Sequence, residues 1–139
     1  MRRPNKNRLI IKTSNMKRVI HTENAPKAIG PYSQAIEANG MLFISGQIPV
    51  NPATGTVPEG ITAQTEQVLK NVEAILKEAG YGFENVIKTT CLLSDIANFK
   101  PMNEVYAKYY TKDCPARAAF AVKDLPMGVL VEIETIAAK

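Results

Sequence analysis

Thr62-Ala63-Gln64-Thr65-Glu66-Gln67-Val68-Leu69-Lys70-Asn71-Val72-Glu73-Ala74-Ile75-Leu76-Lys77-Glu78-Ala79-Gly80 sets the architecture of this chain. Val68, Leu69, Val72, Ile75, Leu76 and Ala79 recur at three- and four-residue steps, so they share one stripe of a helix. Thr62 is placed to cap the amino end, and Gly80 to stop the carboxyl end. Glu66/Lys70 and Glu73/Lys77 stand four apart in the favourable order, on the side expected to face solvent. A helix this one-sided needs an apolar partner surface.

The flanking sequence supplies strands for that surface. On the amino side, Tyr32 to Ala38 and Met41 to Ser45 read as strands around Asn39-Gly40, a dipeptide whose two positions both tolerate positive φ. Arg18 to His21 is a short strand before them. A loop with two prolines and a glycine follows over residues 24–31, and Gly46 to Gly60 reads as a long loop. On the carboxyl side, Val86 to Leu93 is a strand. A second helix runs from a cap at Asn98 to Tyr110, with Pro101 tolerated because it falls in the first turn. Phe99, Met102, Val105, Tyr106 and Tyr109 form its apolar face, read as core. Arg117 to Val122 and Val129 to Ala137 are the last two strands. The order β-β-β-α-β-α-β-β implies an α+β fold, with two helices packed on one face of a mixed sheet.

The chain of 139 residues is one domain by length, with 45% hydrophobic and 22% charged residues, ordinary for a soluble globular protein. The formal charge of +4 invites a nucleic-acid reading, but its distribution argues against one. Arg2, Arg3, Lys6, Arg8 and Lys12 lie in the first fifteen positions, which hold no acid. Residues 16–139 then carry 12 basic and 13 acidic side chains, a net charge of −1. Residues 1–15 are therefore expected to be a basic extension, disordered or added in expression, ahead of a single domain over 16–139. No run reaches the length of a membrane span, and Leu9-Ile10-Ile11 is too short for a signal peptide. Cys91 and Cys114 are read as reduced thiols of a cytoplasmic protein.

With one histidine and two distant cysteines, the sequence offers no metal-site spacing, and neither common phosphate loop is present. His21 is read as a surface residue. The informative residue is Arg117, whose following neighbours Ala118 to Val122 are all apolar, so the strand it opens is expected to be largely buried. A guanidinium there needs an anion or a wet rim. Its fork of donors suits the carboxylate of a small ligand, or else a surface acid on an edge strand. In the last strand, alternation puts Leu130, Glu132, Glu134 and Ile136 on one face. One of these carboxylates is expected to pair with Arg117 or a lysine and one to face a pocket, unless the face is simply half-exposed. Gly46 allows close backbone approach by a ligand, or else marks a bulge. Asn103 sits mid-helix without a propensity reason, and Tyr32 follows Gly30-Pro31 with a hydroxyl able to reach a polar ligand.

Together these segments resemble one family. Thr22-Glu23-Asn24-Ala25-Pro26, Ile29-Gly30-Pro31-Tyr32-Ser33-Gln34, Ser45-Gly46-Gln47-Ile48-Pro49, Asn51-Pro52 with Thr54-Gly55, Pro115-Ala116-Arg117 and Glu132-Ile133-Glu134 are similar to the motifs of the RidA/YjgF family, the reactive intermediate/imine deaminases. The resemblance covers residues 17–139. It implies a chorismate-mutase-like fold, a homotrimer with a ligand cleft at each subunit interface, and hydrolysis of 2-imino acids such as 2-iminobutanoate and 2-iminopropanoate to 2-keto acids and ammonia. It implies no metal and no cofactor. Arg117 matches the arginine that grips the substrate carboxylate, Glu132 the acid that directs water, and Gly46 a backbone contact. Tyr32 and Asn103 match further cleft residues. Ala119 stands where many members carry a cysteine, which removes any thiol role there. Two other readings remain: a trimer that binds small carboxylates without turnover, and a ribonuclease or translation inhibitor, against which the near-neutral body and lone histidine count.

Overall fold

The computed structural model describes residues 16–139, so the expectation for residues 1–15 lies outside the described residues. Six strands form one sheet: β1 (Arg18–Ile20), β2 (Ala35–Ala38), β3 (Met41–Gln47), β4 (Val86–Leu93), β5 (Ala116–Ala121) and β6 (Val131–Ala138). Their spatial order is β1-β2-β3-β6-β4-β5. Every neighbouring pair is antiparallel except β4 with β5, so the sheet is mixed, as the sequence implied. Asn39 and Gly40 take φ 52 and 74 at the β2–β3 turn, the left-handed pair that a two-residue hairpin requires. The expected strand from Tyr32 is shorter, because residues 32–34 leave the ladder and the Gln34 side chain turns into the preceding loop.

Two helices, α1 (Ile61–Ala79) and α2 (Phe99–Tyr109), pack on one face of the sheet. Val68, Leu69, Val72, Ile75 and Leu76 are each no more than 1% exposed, and they meet Leu42, Ile44, Val131, Ile133 and Ala137 of the sheet in one core. Burying each such side chain contributes roughly 1.5–3 kcal/mol. Gly80 closes α1 in the left-handed conformation at φ 83, as expected. The amino end differs from expectation. Gly60, at φ 87 and ψ 155, starts the helix, and its carbonyl accepts from the Gln64 N–H at 3.0 Å. Thr62 is thus already inside the first turn and caps nothing.

Lys77 and Glu73 form the expected pair at 3.6 Å. Glu66 does not pair with Lys70. It accepts the Tyr109 hydroxyl at 2.7 Å and lies 3.6 Å from Lys108, so it faces α2 rather than solvent. Asn98 precedes α2 but makes no side-chain cap bond. Asp95 does that work one turn earlier, accepting from the Ala97 N–H at 2.9 Å. Strand β5 also departs from expectation. Among the described residues it is an edge strand paired with β4 alone, and its residues are exposed or half-exposed rather than buried. The helices cover one face, and among the described residues no helix packs on the opposite face, called the open face below. No helix among the described residues is long and apolar enough to cross a membrane.

Candidate functional site

Strand β5 runs parallel to β4 with Arg117 opposite Thr89. The Arg117 side chain leaves on the helix-covered side. Its NH1 group donates to Asn103 Oδ1 on α2 at 2.7 Å, which explains the mid-helix asparagine. The guanidinium carbon lies 4.8 Å from the centre of the Tyr106 ring and 5.4 Å from that of Phe99. No carboxylate pairs with Arg117 among the described residues, so the surface-acid alternative is not what the structure shows. A cation held only by an amide oxygen and two aromatic faces keeps its charge available to an anion. Ala119, two residues on, stands opposite Cys91 and packs on the core. Burial pushes the Cys91 thiol up to about 11, so it stays protonated at neutral pH.

Glu132 stands on the opposite face. Strand β6 alternates as expected, with Val131, Ile133, Thr135 and Ala137 buried against the helices and Glu132, Glu134 and Ile136 on the open side. Neither Glu132 nor Glu134 pairs with a cation among the described residues, contrary to the expected ion pair. Glu132 lies instead against Gly46. The β3–β6 register shifts between Ile44 and Gln47, so a bulge is present there. A side-chain carbon built on Gly46 would meet the Glu132 carboxyl carbon at 2.9 Å. Gly46 therefore makes room for the carboxylate. Burial, and then the charge of Glu134, raise the Glu132 carboxyl above its usual value.

Gly46 also lines a cavity of about 450 Å³, together with Tyr32, Ile29, Ile48, Pro126 and Met127. The Tyr32 hydroxyl accepts from the Ile29 N–H at 3.3 Å. Within one chain the six sequence-derived residues thus form two groups. Arg117, Asn103 and Ala119 belong to the helix-covered side of β5. Tyr32 and Gly46 share the cavity, and Glu132 touches Gly46 from the open face of the sheet.

Three supporting residues escaped the sequence reading. Gln34 accepts from the Thr22 N–H at 2.8 Å and donates to the carbonyls of Thr22, Ala25 and Pro26, fixing the loop that walls the cavity. Asn71 donates to the carbonyls of Ile48 and Val50 at 3.1 and 3.0 Å. Gln64 donates to the Pro58 carbonyl and accepts from the Leu130 N–H. A signal existed for two of them. Gln64 and Asn71 fall on the buried stripe of α1 with Val68 and Ile75, and a polar residue there must find a partner.

Residues 22–139 match the family described as Endoribonuclease L-PSP. The chain belongs to the RidA/YjgF family. The RutC family protein of Pyrococcus horikoshii is 58% identical over 125 residues, covering 89% of this chain and 99% of that one. The human 2-iminobutanoate/2-iminopropanoate deaminase is 48% identical over 126 residues, covering 90% and 92%. The crystal structure of E. coli TdcF with bound serine superposes with a TM-score of 0.85 at 40% identity, covering 88% and 98%. All six sequence-derived residues lie inside the RidA/YjgF match, while residues 1–15 precede it.

Proposed function

We propose that the protein is an imine deaminase, converting 2-imino acids or their enamine tautomers to 2-keto acids and ammonia. The observation that carries this reading is Arg117, an arginine positioned by Asn103 and by the rings of Tyr106 and Phe99, with no acid paired to it among the described residues. The activity named for the human relative and the serine bound to the E. coli relative both fit a site for small amino-acid-like carboxylates.

In this reading Arg117 takes the substrate carboxylate bidentately and so fixes the C=N carbon. Water adds to that carbon while the Glu132 carboxylate accepts its proton. The resulting carbinolamine gains a proton on nitrogen, the C–N bond breaks, and ammonia leaves as the C=O forms. A raised carboxyl pKa makes Glu132 a stronger base than a solvated glutamate. Gly46 offers backbone near the reacting carbon. Tyr32 walls the cleft, and Ala119 leaves room beside Arg117. Water is the nucleophile, and the step uses neither metal nor cofactor.

Arg117 and Glu132 face opposite sides of one sheet, so a second copy of the chain must close the cleft. A homotrimer supplies that copy at each of three interfaces. The open sheet face supports this, since Phe43 and Phe120 are each 47% exposed there, next to the half-buried Leu92 and Ile136. Charge distribution and the small cleft favour a small acid over nucleic acid as ligand. The test couples an amino-acid dehydratase to this protein and traps free imine with semicarbazide. Added protein should lower semicarbazone yield and raise keto acid. An unchanged yield would overturn the deaminase reading.

A further inference from the structure

We propose that Tyr106 is a positioning residue for Arg117, and that the buried Thr89–Tyr106 hydroxyl pair fixes the plate against which the guanidinium lies. The inference rests on the reading of Arg117 as a carboxylate clamp. Three contacts close a loop across three elements. Thr89 on β4 stands opposite Arg117 on β5 in the sheet register. The hydroxyls of Thr89 and Tyr106 lie 2.7 Å apart in the interior. The Tyr106 ring face then returns to Arg117, with 4.8 Å from its centre to the guanidinium carbon.

Each contact removes a freedom the clamp would otherwise keep. An arginine on an edge strand has a long, rotatable side chain, and among the described residues no strand pairs with β5 on its far side. Asn103 holds only NH1. One hydrogen bond fixes a point but not the plane of the guanidinium, and a bidentate carboxylate requires the plane. The face of a ring supplies it, provided the ring itself is fixed. Tyr106 is 6% exposed and packs on Tyr110 at 4.5 Å between ring centres, so its ring is confined by its surroundings. Thr89 is fully buried and anchors the hydroxyl end. The residue that anchors the ring is therefore the register partner of the arginine the ring orients. Fixing the plane before binding spares the ligand the entropy of ordering the clamp.

A purely structural role for the hydroxyl pair makes a different forecast, which allows a test. The probes are the affinity for 2-ketobutyrate, KM and kcat for 2-iminobutanoate, and the melting temperature. The variants are Tyr106→Leu, Tyr106→Phe and the double variant Thr89→Val/Tyr106→Phe. Tyr106→Leu removes the plate and should weaken 2-ketobutyrate binding about tenfold, with a matching rise in KM and a smaller change in kcat. Tyr106→Phe keeps the ring, so binding should recover to within about threefold of wild type while the orphaned Thr89 hydroxyl lowers the melting temperature. In the double variant the melting temperature should return towards wild type, but binding should stay at the Tyr106→Phe level, because the ring is still untethered. The proposal is overturned if folded Tyr106→Leu binds within twofold of wild type. It is equally overturned if binding across the three variants simply follows melting temperature. A wild-type protein that binds no 2-ketobutyrate would overturn the clamp reading as well as the positioning inference.

Discussion

The carboxylate of Glu132 occupies the space that any side chain at residue 46 would need, so Gly46 and Glu132 are one structural unit across β3 and β6. Replacing Gly46 by alanine moves the acid rather than the backbone ladder. Displacement of a reacting group by about 1 Å costs on the order of 10² in rate. We expect Gly46→Ala to lower kcat for 2-iminobutanoate by about that factor with a small change in melting temperature. Wild-type kcat in the alanine variant would separate the glycine from the placement of the acid.

Arg117→Lys should be nearly as damaging as Arg117→Ala. Lysine keeps the charge but cannot contact the Tyr106 ring, reach Asn103 and grip a carboxylate with two donors together. Both variants should raise KM or abolish turnover while the assembly persists. A lysine variant with wild-type KM would remove the bidentate clamp from the account.

Glu132→Gln keeps size and removes basicity, so kcat should fall by about 10²–10⁴, the range for a general base. Affinity for 2-ketobutyrate should change little. Glu134→Gln should be milder in rate, but it should move the pH profile. Glu132 acts as a base only when ionised, and burial first and Glu134 second hold its carboxyl above the usual 4.5. The acid limb of kcat/KM should therefore lie above that value in wild type and shift to lower pH when the Glu134 charge is removed. A limb that stays in place, or moves upward, would contradict the coupling.

Gln34 makes four hydrogen bonds to the loop of Thr22 to Pro26, and its side chain is buried. Gln34→Ala leaves those backbone groups without partners, and each orphaned group costs about 1–3 kcal/mol. We expect a loss of about 3 kcal/mol in denaturant unfolding, together with weaker substrate binding as the cavity wall loosens. Stability within about 0.5 kcal/mol of wild type would mean the loop finds other partners.

Much of the fold was legible because its signals are local. The stripe from Val68 to Ala79 and the alternation along Val131 to Ala137 follow from periodicity, the Asn39-Gly40 turn from its dipeptide's tolerance of positive φ, and each took the expected form. What escaped depends on which elements meet. Glu66 looked like a solvent-side partner for Lys70, but α2 lies against that face and offers Tyr109 and Lys108. The apolar run after Arg117 looked buried, yet sheet order put it at an edge, and strand order is not written in any single strand. Asn103 and Arg117 were each singled out, but their hydrogen bond joins residues fourteen positions apart on different elements. The two-sided arrangement of Arg117 and Glu132 likewise emerges only from the register of β4 with its two neighbours.

That arrangement gives the most direct test of the central claim, that Arg117 of one copy and Glu132 of another act on the same imine. Arg117→Ala and Glu132→Gln chains are each expected to be inactive alone. Co-expressed in equal amounts, they should assemble mixed trimers in which about a quarter of the interfaces pair an intact arginine with an intact glutamate. The measurement is 2-iminobutanoate hydrolysis by the purified mixture. Recovery to about a quarter of wild-type activity is expected. No recovery in mixed assemblies of wild-type mass would contradict a site shared between copies.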